Sequence, residues 1–376
     1  MRLILTFILL TLQFLVATLA VSAQRQDVFK RKNIEAKMLL VAKWQLDHPK
    51  HDLYDWTNGA FYAGIFAAWE TTASPELMTA MMEMGEKTGW KPGPRFDHAD
   101  DIAISQTYLD VYRIKKDKRM LQPTIDTIER LKNERGEQAA TKGITWWWCD
   151  ALFMAPPTLV KLSRITGDRS YLNLNDRLFQ QTYDLLYDKD ERLYARDASY
   201  LINAAGVGKH EANGKKVFWS RGNGWVAGGL VRVLKELPKD HPNRPFYLTQ
   251  YKALMGRLLS LQQTDGLWRS SLLDPEAYRG GEASGSGFDI YAMAWGINNK
   301  VLPRDKYLPA VKKAWAALNG LVHSDGMVGW TQPIGADPRK NFNADSWEVY
   351  GAGAFLLAGS EVVKLARPTT IIPVHE

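Results

Sequence analysis

The chain has 376 residues, of which 45% are apolar, and it carries a formal net charge of +7 with a single cysteine. That is enough apolar material for a large core, and one cysteine excludes an intramolecular disulfide, so packing must supply the stability. The positive charge is compatible with an anionic partner, but no basic stripe or nucleotide-binding loop is present, and nucleic-acid binding is not expected.

The first residues have the pattern of a secretory signal. An almost unbroken apolar run over residues 3–20 is followed by the small residues 21–23, which is typical of a signal peptidase site. We therefore expect residues 1–23 to be removed and residues 24–376 to form a single domain in the periplasm, with secretion as the alternative. A retained membrane anchor is the other reading, because the run is nearly long enough to span a bilayer, but no permanent anchor is expected.

Two kinds of predicted helix alternate along the rest of the chain. The first kind is amphipathic and charged, as in surface helices with one buried face. These segments are residues 28–47, 75–88, 121–134, 170–187, 244–261 and 305–321.

The second kind is rich in Gly, Ala and aromatic residues and has few charges, as in helices buried on all sides. These segments are residues 58–71, 101–114, 150–166, 223–237, 287–299 and 344–365. Six hairpins with a buried second member predict an all-α ring of six inner and six outer helices. Pro156 and Pro157 should kink or break the third inner helix, and residues 192–219 should form a decorated loop with short strands at 193–196 and 216–219.

Alternating helix directions would bring all six inner N-termini, and the loops that lead into them, to one end of the ring. Nine of the fourteen tryptophans fall in these loops, whereas core packing alone would scatter them. Helix N-termini offer unpaired N–H groups and positive dipole ends, which suit an anion such as a uronate carboxylate. The pattern predicts a site for an acidic carbohydrate.

Asp150 follows three consecutive tryptophans and Cys149. Burial against apolar rings raises the pKa of a carboxyl group and allows it to donate a proton near neutral pH. The alternative is a run of core tryptophans that ends in a helix-capping aspartate.

The other candidates also have structural alternatives. Asp100 and Asp101 could be helix N-caps, and His98 could be a hydrogen-bonded structural histidine instead of a ligand. Arg221, close to Trp225, could bind a carboxylate while the indole stacks on a sugar ring, or it could pair with an aspartate. No second cluster of His or Cys completes a ligand set around residues 97–101, so neither a metal nor another cofactor is expected.

At these residues the sequence resembles glycoside hydrolase family 105, the unsaturated rhamnogalacturonyl hydrolases, and more distantly the unsaturated glucuronyl hydrolases of family 88. The resemblance extends over nearly the whole predicted mature chain. The matching pieces are Asp-Asp-Ile at 100–102, Trp-Cys-Asp-Ala-Leu-Phe-Met at 148–154, Trp-Ser-Arg-Gly-Asn-Gly-Trp at 219–225 and Trp-Glu-Val-Tyr-Gly at 347–351. The resemblance implies an (α/α)6 barrel. It also implies that Asp150 is the general acid/base, that Asp100 or alternatively Asp101 is the second functional aspartate, and that Arg221 and Trp225 hold a uronate.

The remaining substrate-binding candidates are drawn from the converging loops and from the decorated loop. They are Trp146, Trp147, Asp101, His98, Asn58, Arg196 and Trp347. Arg196 stands where many members of the resembled family carry a stacking histidine, which suggests a neighbouring sugar bearing sulfate or another anion.

The resemblance implies an enzyme that removes a 4,5-unsaturated uronic acid from the non-reducing end of lyase-generated oligosaccharides by hydrating the C4=C5 vinyl ether. One alternative is a conventional inverting glycosidase with Asp150 as acid and Asp100 or Glu348 as base. Another is a non-catalytic carbohydrate-binding protein, which would need the tryptophans but not Asp150. The sequence makes no prediction of the polysaccharide source or the oligomeric state.

Overall fold

The computed structural model describes residues 28–366, and the predicted signal segment lies outside them. Fifteen α-helices form in this part of the chain. In chain order they are α1 (Arg31–Asp47), α2 (Trp56–Thr72), α3 (Pro75–Thr88), α4 (Ala99–Ile102), α5 (Ser105–Lys115), α6 (Gln122–Asn133), α7 (Glu137–Lys142), α8 (Ala151–Met154), α9 (Pro156–Thr166), α10 (Ser170–Leu186), α11 (Ser220–Glu236), α12 (Arg244–Leu261), α13 (Ala283–Asn298), α14 (Arg304–Asn319) and α15 (Val349–Leu365).

The inner helices close into a ring. Helix α2 packs on α5, α5 on α9, α9 on α11, α11 on α13, α13 on α15, and α15 returns to α2. The outer helices α1, α3, α6, α10, α12 and α14 alternate with them along the chain. The predicted (α/α)6 barrel of six inner and six outer helices is confirmed.

Close backbone contact joins the first and last inner helices. A Cβ atom on Gly64 of α2 would lie 2.6 Å from the carbonyl oxygen of Gly353 in α15. Only residues without a side chain permit this approach. The glycine content of the inner segments therefore reflects how tightly the ring closes.

The two prolines break the third inner helix, as predicted. Helix α8 ends at Met154 and α9 begins at Pro156, because proline has no N–H to continue the backbone ladder. The side-chain amide of Gln106, from the neighbouring inner helix, donates to the free carbonyls of Phe153 and Met154 at 2.8 and 2.9 Å.

Some predicted boundaries were wrong. The last inner helix begins at Val349 and not at residue 344, and the second is interrupted between α4 and α5. Strand β2 (Leu193–Tyr194) pairs antiparallel with β1 (Tyr187–Asp188). Residues 216–219 form no strand, and contribute only isolated bridges from Lys216 to His210 and from Trp219 to Ser271.

Across residues 28–366, no helix combines the length and apolar character needed to cross a membrane.

Candidate active site

The loops that enter the inner helices meet at one end of the barrel, as the alternation predicted. The His98 ring lies 4.8 Å from the Trp148 ring, and Trp56 stacks on Tyr350 at 5.2 Å between ring centroids. Trp219 donates from Nε1 to the side-chain oxygen of Gln332 at 3.2 Å. These contacts join the second of the converging loops to the third, and the first and fourth to the start of the last inner helix and the segment that leads into it.

Asp150 lies at the start of α8, and only 8% of the residue is exposed. It occupies the N-cap position, but its side chain makes no capping hydrogen bond, so the carboxylate is not committed to the helix. Cys149 Sγ donates to Asp150 Oδ1 at 3.5 Å. Nε of Arg196 lies 3.7 Å from the other carboxylate oxygen, Oδ2.

Opposing effects act on the pKa of Asp150. Burial raises it above its ordinary value, whereas the positive charges of Arg196 and, to a smaller extent, Arg221 lower it. The net direction is upward, which favours a protonated carboxyl group that can still release its proton.

Asp100 is the second carboxyl group of the site. Its pKa is raised to about 8, first by burial and then by the nearby charge of Asp150, although its side chain keeps 21% of its surface exposed. Because the charge of Asp150 acts on Asp100, the titrations of the two groups are coupled. Near neutral pH the pair therefore retains at least one proton.

The neighbouring Asp101 has a different role. Its carboxylate accepts from the Arg95 backbone N–H at 2.8 Å and from Nε and Nη2 of the Arg95 side chain. Asp101 thus closes the turn before α4, and both of its carboxylate oxygens accept from Arg95. Of the two alternatives that the sequence left open, Asp100 is the one placed beside Asp150.

His98 is held as a neutral hydrogen-bonded ring. Its Nδ1 accepts from the backbone N–H of Asp100 at 3.3 Å and caps α4. Burial, together with the charge of Arg95, lowers the pKa of His98 to about 4. This capping role belongs to His98, whereas the sequence allowed it for Asp100 or Asp101. Within residues 28–366, no group of three or more His, Cys, Asp or Glu side chains is arranged to hold a metal ion.

Arg221 is completely buried in α11. Its terminal nitrogens donate to the backbone carbonyls of Gln332 and Pro333 at 2.5 and 3.1 Å. The guanidinium also lies between the rings of Trp219 and Tyr350, at 4.5 and 4.7 Å. The predicted direct contact with a uronate differs from this arrangement, because the side chain is completely buried and both terminal nitrogens bind the backbone. Its Nε is buried without a hydrogen-bond partner among the described residues. The charge of Arg221 does, however, act on Asp150.

Three other predicted sugar-binding side chains are also inaccessible. Trp225 and Trp146 are each 1% exposed, so neither indole offers a face to a sugar ring. Asn58 donates its amide to the carbonyls of Lys50 and Asp52 and fixes the loop before α2. The two indoles pack in the core and Asn58 anchors a loop, so none of the three makes the sugar contact that was predicted for it.

Trp147 and Trp347 remain partly exposed. Lys142 Nζ lies 4.7 Å above the Trp147 ring, and Lys50 Nζ lies 4.6 Å above the Trp347 ring. These two indoles are thus the tryptophan candidates that a sugar can reach.

Sequence reasoning assigned no role to Gln332 and Glu282. Gln332 accepts from Trp219 and Ser270 through its side chain and from Arg221 through its carbonyl. Glu282, fully buried, caps α13 through Ser284 N–H and also accepts from Gln332 N–H at 3.2 Å. An acidic residue directly before a glycine-rich inner helix was the available signal for Glu282, and Gln332 had none.

A family model and several known proteins match this chain. The model described as Glycosyl Hydrolase Family 88 matches residues 31–366. The chain belongs to this family. It is a glycoside hydrolase, and the resemblance found in the sequence is confirmed.

A curated relative from Formosa agariphila, named unsaturated 3S-rhamnoglycuronyl hydrolase, is 45% identical over 95% of this chain and 98% of its own length. A solved family 88 structure from Bacteroides vulgatus is 29% identical with a TM-score of 0.81, covering 89% of this chain and 99% of that one. Another, titled a polysaccharide lyase, is 31% identical with a TM-score of 0.82, covering 89% and 98%.

Proposed function

We propose that this family 88 enzyme removes a 4,5-unsaturated uronic acid from the non-reducing end of rhamnose-containing oligosaccharides. The observation that carries the proposal is the Asp150–Asp100 pair, two neighbouring carboxyl groups with raised pKa values at the converging end of the barrel. The name of the 45% identical relative supports a rhamnoglycuronyl substrate.

The reaction begins at the vinyl ether. Asp150 donates its proton to C4 of the C4=C5 bond, and water adds to C5 while returning a proton to Asp150. The resulting hemiketal opens, the bond to the aglycone breaks, and the uronate leaves as a keto acid. One residue can perform both transfers because burial raises the pKa of Asp150 while two arginines limit that rise. The carboxyl group can therefore both donate and accept a proton.

Asp100 assists Asp150 and does not act as a nucleophile or as a separate base. With a pKa of about 8 it stays protonated near neutral pH, so it can donate a hydrogen bond to Asp150 or to the substrate. An inverting glycosidase would need an ionised base on the far side of the sugar. Its other candidate, Glu348, is bound by Lys50 at 2.8 Å and by His51 at 2.7 Å.

The test is a time course with lyase-generated unsaturated disaccharides. Consumption should remove the ultraviolet absorbance of the conjugated C4=C5 bond and release the reducing sugar in equal amounts. A lyase would instead create this absorbance from an uncleaved polysaccharide, and an inverting glycosidase would cleave a saturated uronide. Either result would contradict the proposal.

Export is part of the proposal, supported by the apolar run and small-residue site at residues 3–23. We expect the mature protein to begin at Gln24 in the periplasm. Intact mass of the protein from a periplasmic extract measures this, and a mature chain beginning at Met1 would contradict it.

A further inference from the structure

We propose that the inside of the barrel, at the end away from Asp150, binds a halide ion, chloride under ordinary conditions, through Arg232, Tyr291 and Lys235. This site is separate from the catalytic end of the barrel, and its occupancy does not depend on the proposed function.

Arg232 reaches across the interior of the ring. It lies with Lys235 in the last two turns of α11, whereas the loops around Asp150 lead into the N-termini of the inner helices. Arg232 Nε donates to Gln106 Oε1 at 2.5 Å, and the guanidinium carbon lies 5.8 Å from the centroid of the Phe153 ring. Gln106 belongs to α5, which α9 separates from α11 in the ring. The bond between them therefore crosses the inside of the barrel.

The interior around Arg232 carries an excess of positive charge. Lys161 and Arg232 are only 4% and 7% exposed. Among the described residues, the one carboxylate within ion-pair distance of Arg232 is Asp110, whose Oδ2 lies 3.9 Å from Nη2. The same oxygen accepts a short hydrogen bond from Lys161 Nζ. Burial lowers the pKa of Lys161 and Asp110 opposes this effect, so two buried cations share one carboxylate.

Two neighbouring carboxylates are already bound by other cations. Glu236 accepts from Arg113 at 2.9 Å and from Arg164 at 2.8 Å. Glu361 accepts from Lys364 at 2.8 Å. An uncompensated charge inside a protein is costly, and a monovalent anion would match the single excess charge of the Lys161, Arg232 and Asp110 group.

Two buried donors beside this group lack partners. Within residues 28–366, neither Arg232 Nη2 nor the Tyr291 hydroxyl has a hydrogen-bond partner, although both atoms are buried. Burial raises the pKa of Tyr291, whereas the charges of Lys235 and Arg232 lower it, so both cations lie near the hydroxyl. Lys235 Nζ is 3.5 Å from Glu361 and keeps further donors. Buried donors without partners are rare in proteins, and one anion between them would satisfy both.

A halide suits these donors better than an oxyanion does. It accepts hydrogen bonds from any direction and carries one charge, which equals the excess. Sulfate or phosphate would bring more acceptor oxygens than the two unpartnered donors can satisfy, together with a larger volume to accommodate among buried side chains.

The direct test is anomalous diffraction from crystals of the wild-type enzyme grown in sodium bromide. Bromide replaces chloride and scatters anomalously, so a peak should lie within hydrogen-bond distance of Arg232 Nη2 and Tyr291 Oη. Density for water alone, without an anomalous peak at this place, would overturn the site.

A second test measures Tm against chloride concentration, with sodium gluconate keeping the ionic strength constant. A ligand that binds only the native state raises stability in a saturable way, so Tm should rise with chloride and level off. Tyr291→Phe removes one hydroxyl donor and should raise the apparent chloride Kd about tenfold. Arg232→Met should abolish the effect, and if that variant does not fold, Tyr291→Phe decides alone.

Tyr194→Phe is the matched control. The Tyr194 hydroxyl is also buried without a partner among the described residues, but its ring packs on Tyr187 at 5.0 Å, outside the inner ring of helices. This variant should keep the chloride dependence of the wild type. The same gain in Tm with gluconate as with chloride, or an unchanged chloride Kd in Tyr291→Phe, would show a general salt effect and overturn the proposal.

Discussion

Arg196 Nε lies 3.7 Å from Asp150 Oδ2, and the Arg196 carbonyl accepts from the Cys149 backbone N–H at 2.9 Å. The sequence predicted Arg196 as a contact to the neighbouring sugar. Its position adds a second consequence, because a fixed positive charge beside the proposed acid lowers the pKa of that acid.

Replacing Arg196 with Gln should move the pH dependence of kcat toward alkaline pH. Without the positive charge the pKa of Asp150 rises further, so the group stays protonated, and able to donate, to higher pH. Rates measured on an unsulfated disaccharide from pH 5 to 9 test this. Arg196→Lys, which keeps the charge, should shift the profile less. An acidic shift would contradict the arrangement.

Asp100→Asn should stabilise the protein at alkaline pH. The unfolded carboxyl titrates at 3.8 and the folded one at about 8. Between these values the native state holds the extra proton, so the free energy of unfolding falls as pH rises through this window. The amide removes this dependence. Calorimetry should show a Tm gain of a few degrees at pH 8.5 that disappears near pH 4, while turnover decreases. An equal change at both pH values would indicate an effect unrelated to titration.

Trp225→Leu should affect stability more than substrate binding. The indole packs against Phe288 at 4.4 Å, Phe153 at 4.9 Å and Trp56 at 5.8 Å. Truncating a buried aromatic typically costs about 3 to 5 kcal/mol when it is cut to alanine, and leucine should cost somewhat less. We expect a lower Tm with KM within about threefold of wild type. A tenfold rise in KM at unchanged Tm would restore the predicted stacking role. Trp347→Leu, at a partly exposed ring, serves as the comparison.

The barrel was predictable because its signal is local. Each inner segment is apolar on all sides and each outer one on a single face, so the alternation can be read without knowing which helices touch. The break at Pro156 follows from one residue's missing N–H. The start of the last inner helix was misplaced because Glu348 is held by Lys50 and His51, almost 300 positions earlier in the chain.

The site was predictable in its position but not in its detailed contacts. The three tryptophans before Cys149 were enough to predict Asp150 as the candidate acid, and that role stays a prediction. The burial of Arg221 could not be predicted, since the carbonyls that bind its guanidinium are 111 and 112 residues away in the sequence. The choice between Asp100 and Asp101 depended on the turn that brings Arg95 back onto Asp101, which neither aspartate's sequence position reveals.

Glu348→Gln should retain turnover within about tenfold of wild type. Its two oxygens bind Lys50 and His51 and join the loop before α2 to the loop before α15, so we assign it to structure. The amide keeps part of this contact, and a modest fall in Tm is expected. If Glu348→Gln lost activity as severely as a change at Asp150, with Tm unchanged, the inverting mechanism with Glu348 as base would be favoured.

The most direct test of the proposed chemistry is single-turnover decay of the unsaturated uronate absorbance in Asp150→Asn, with calorimetric binding of the same disaccharide. The amide keeps the shape of the carboxyl group but has no proton to transfer, so the rate should fall by at least about 10²- to 10⁴-fold. Affinity should stay within a few-fold of wild type, since the partly exposed Trp147 and Trp347 are unchanged. Near-normal decay in Asp150→Asn, together with a large loss in Asp100→Asn, would contradict the account and assign the acid to the second inner helix.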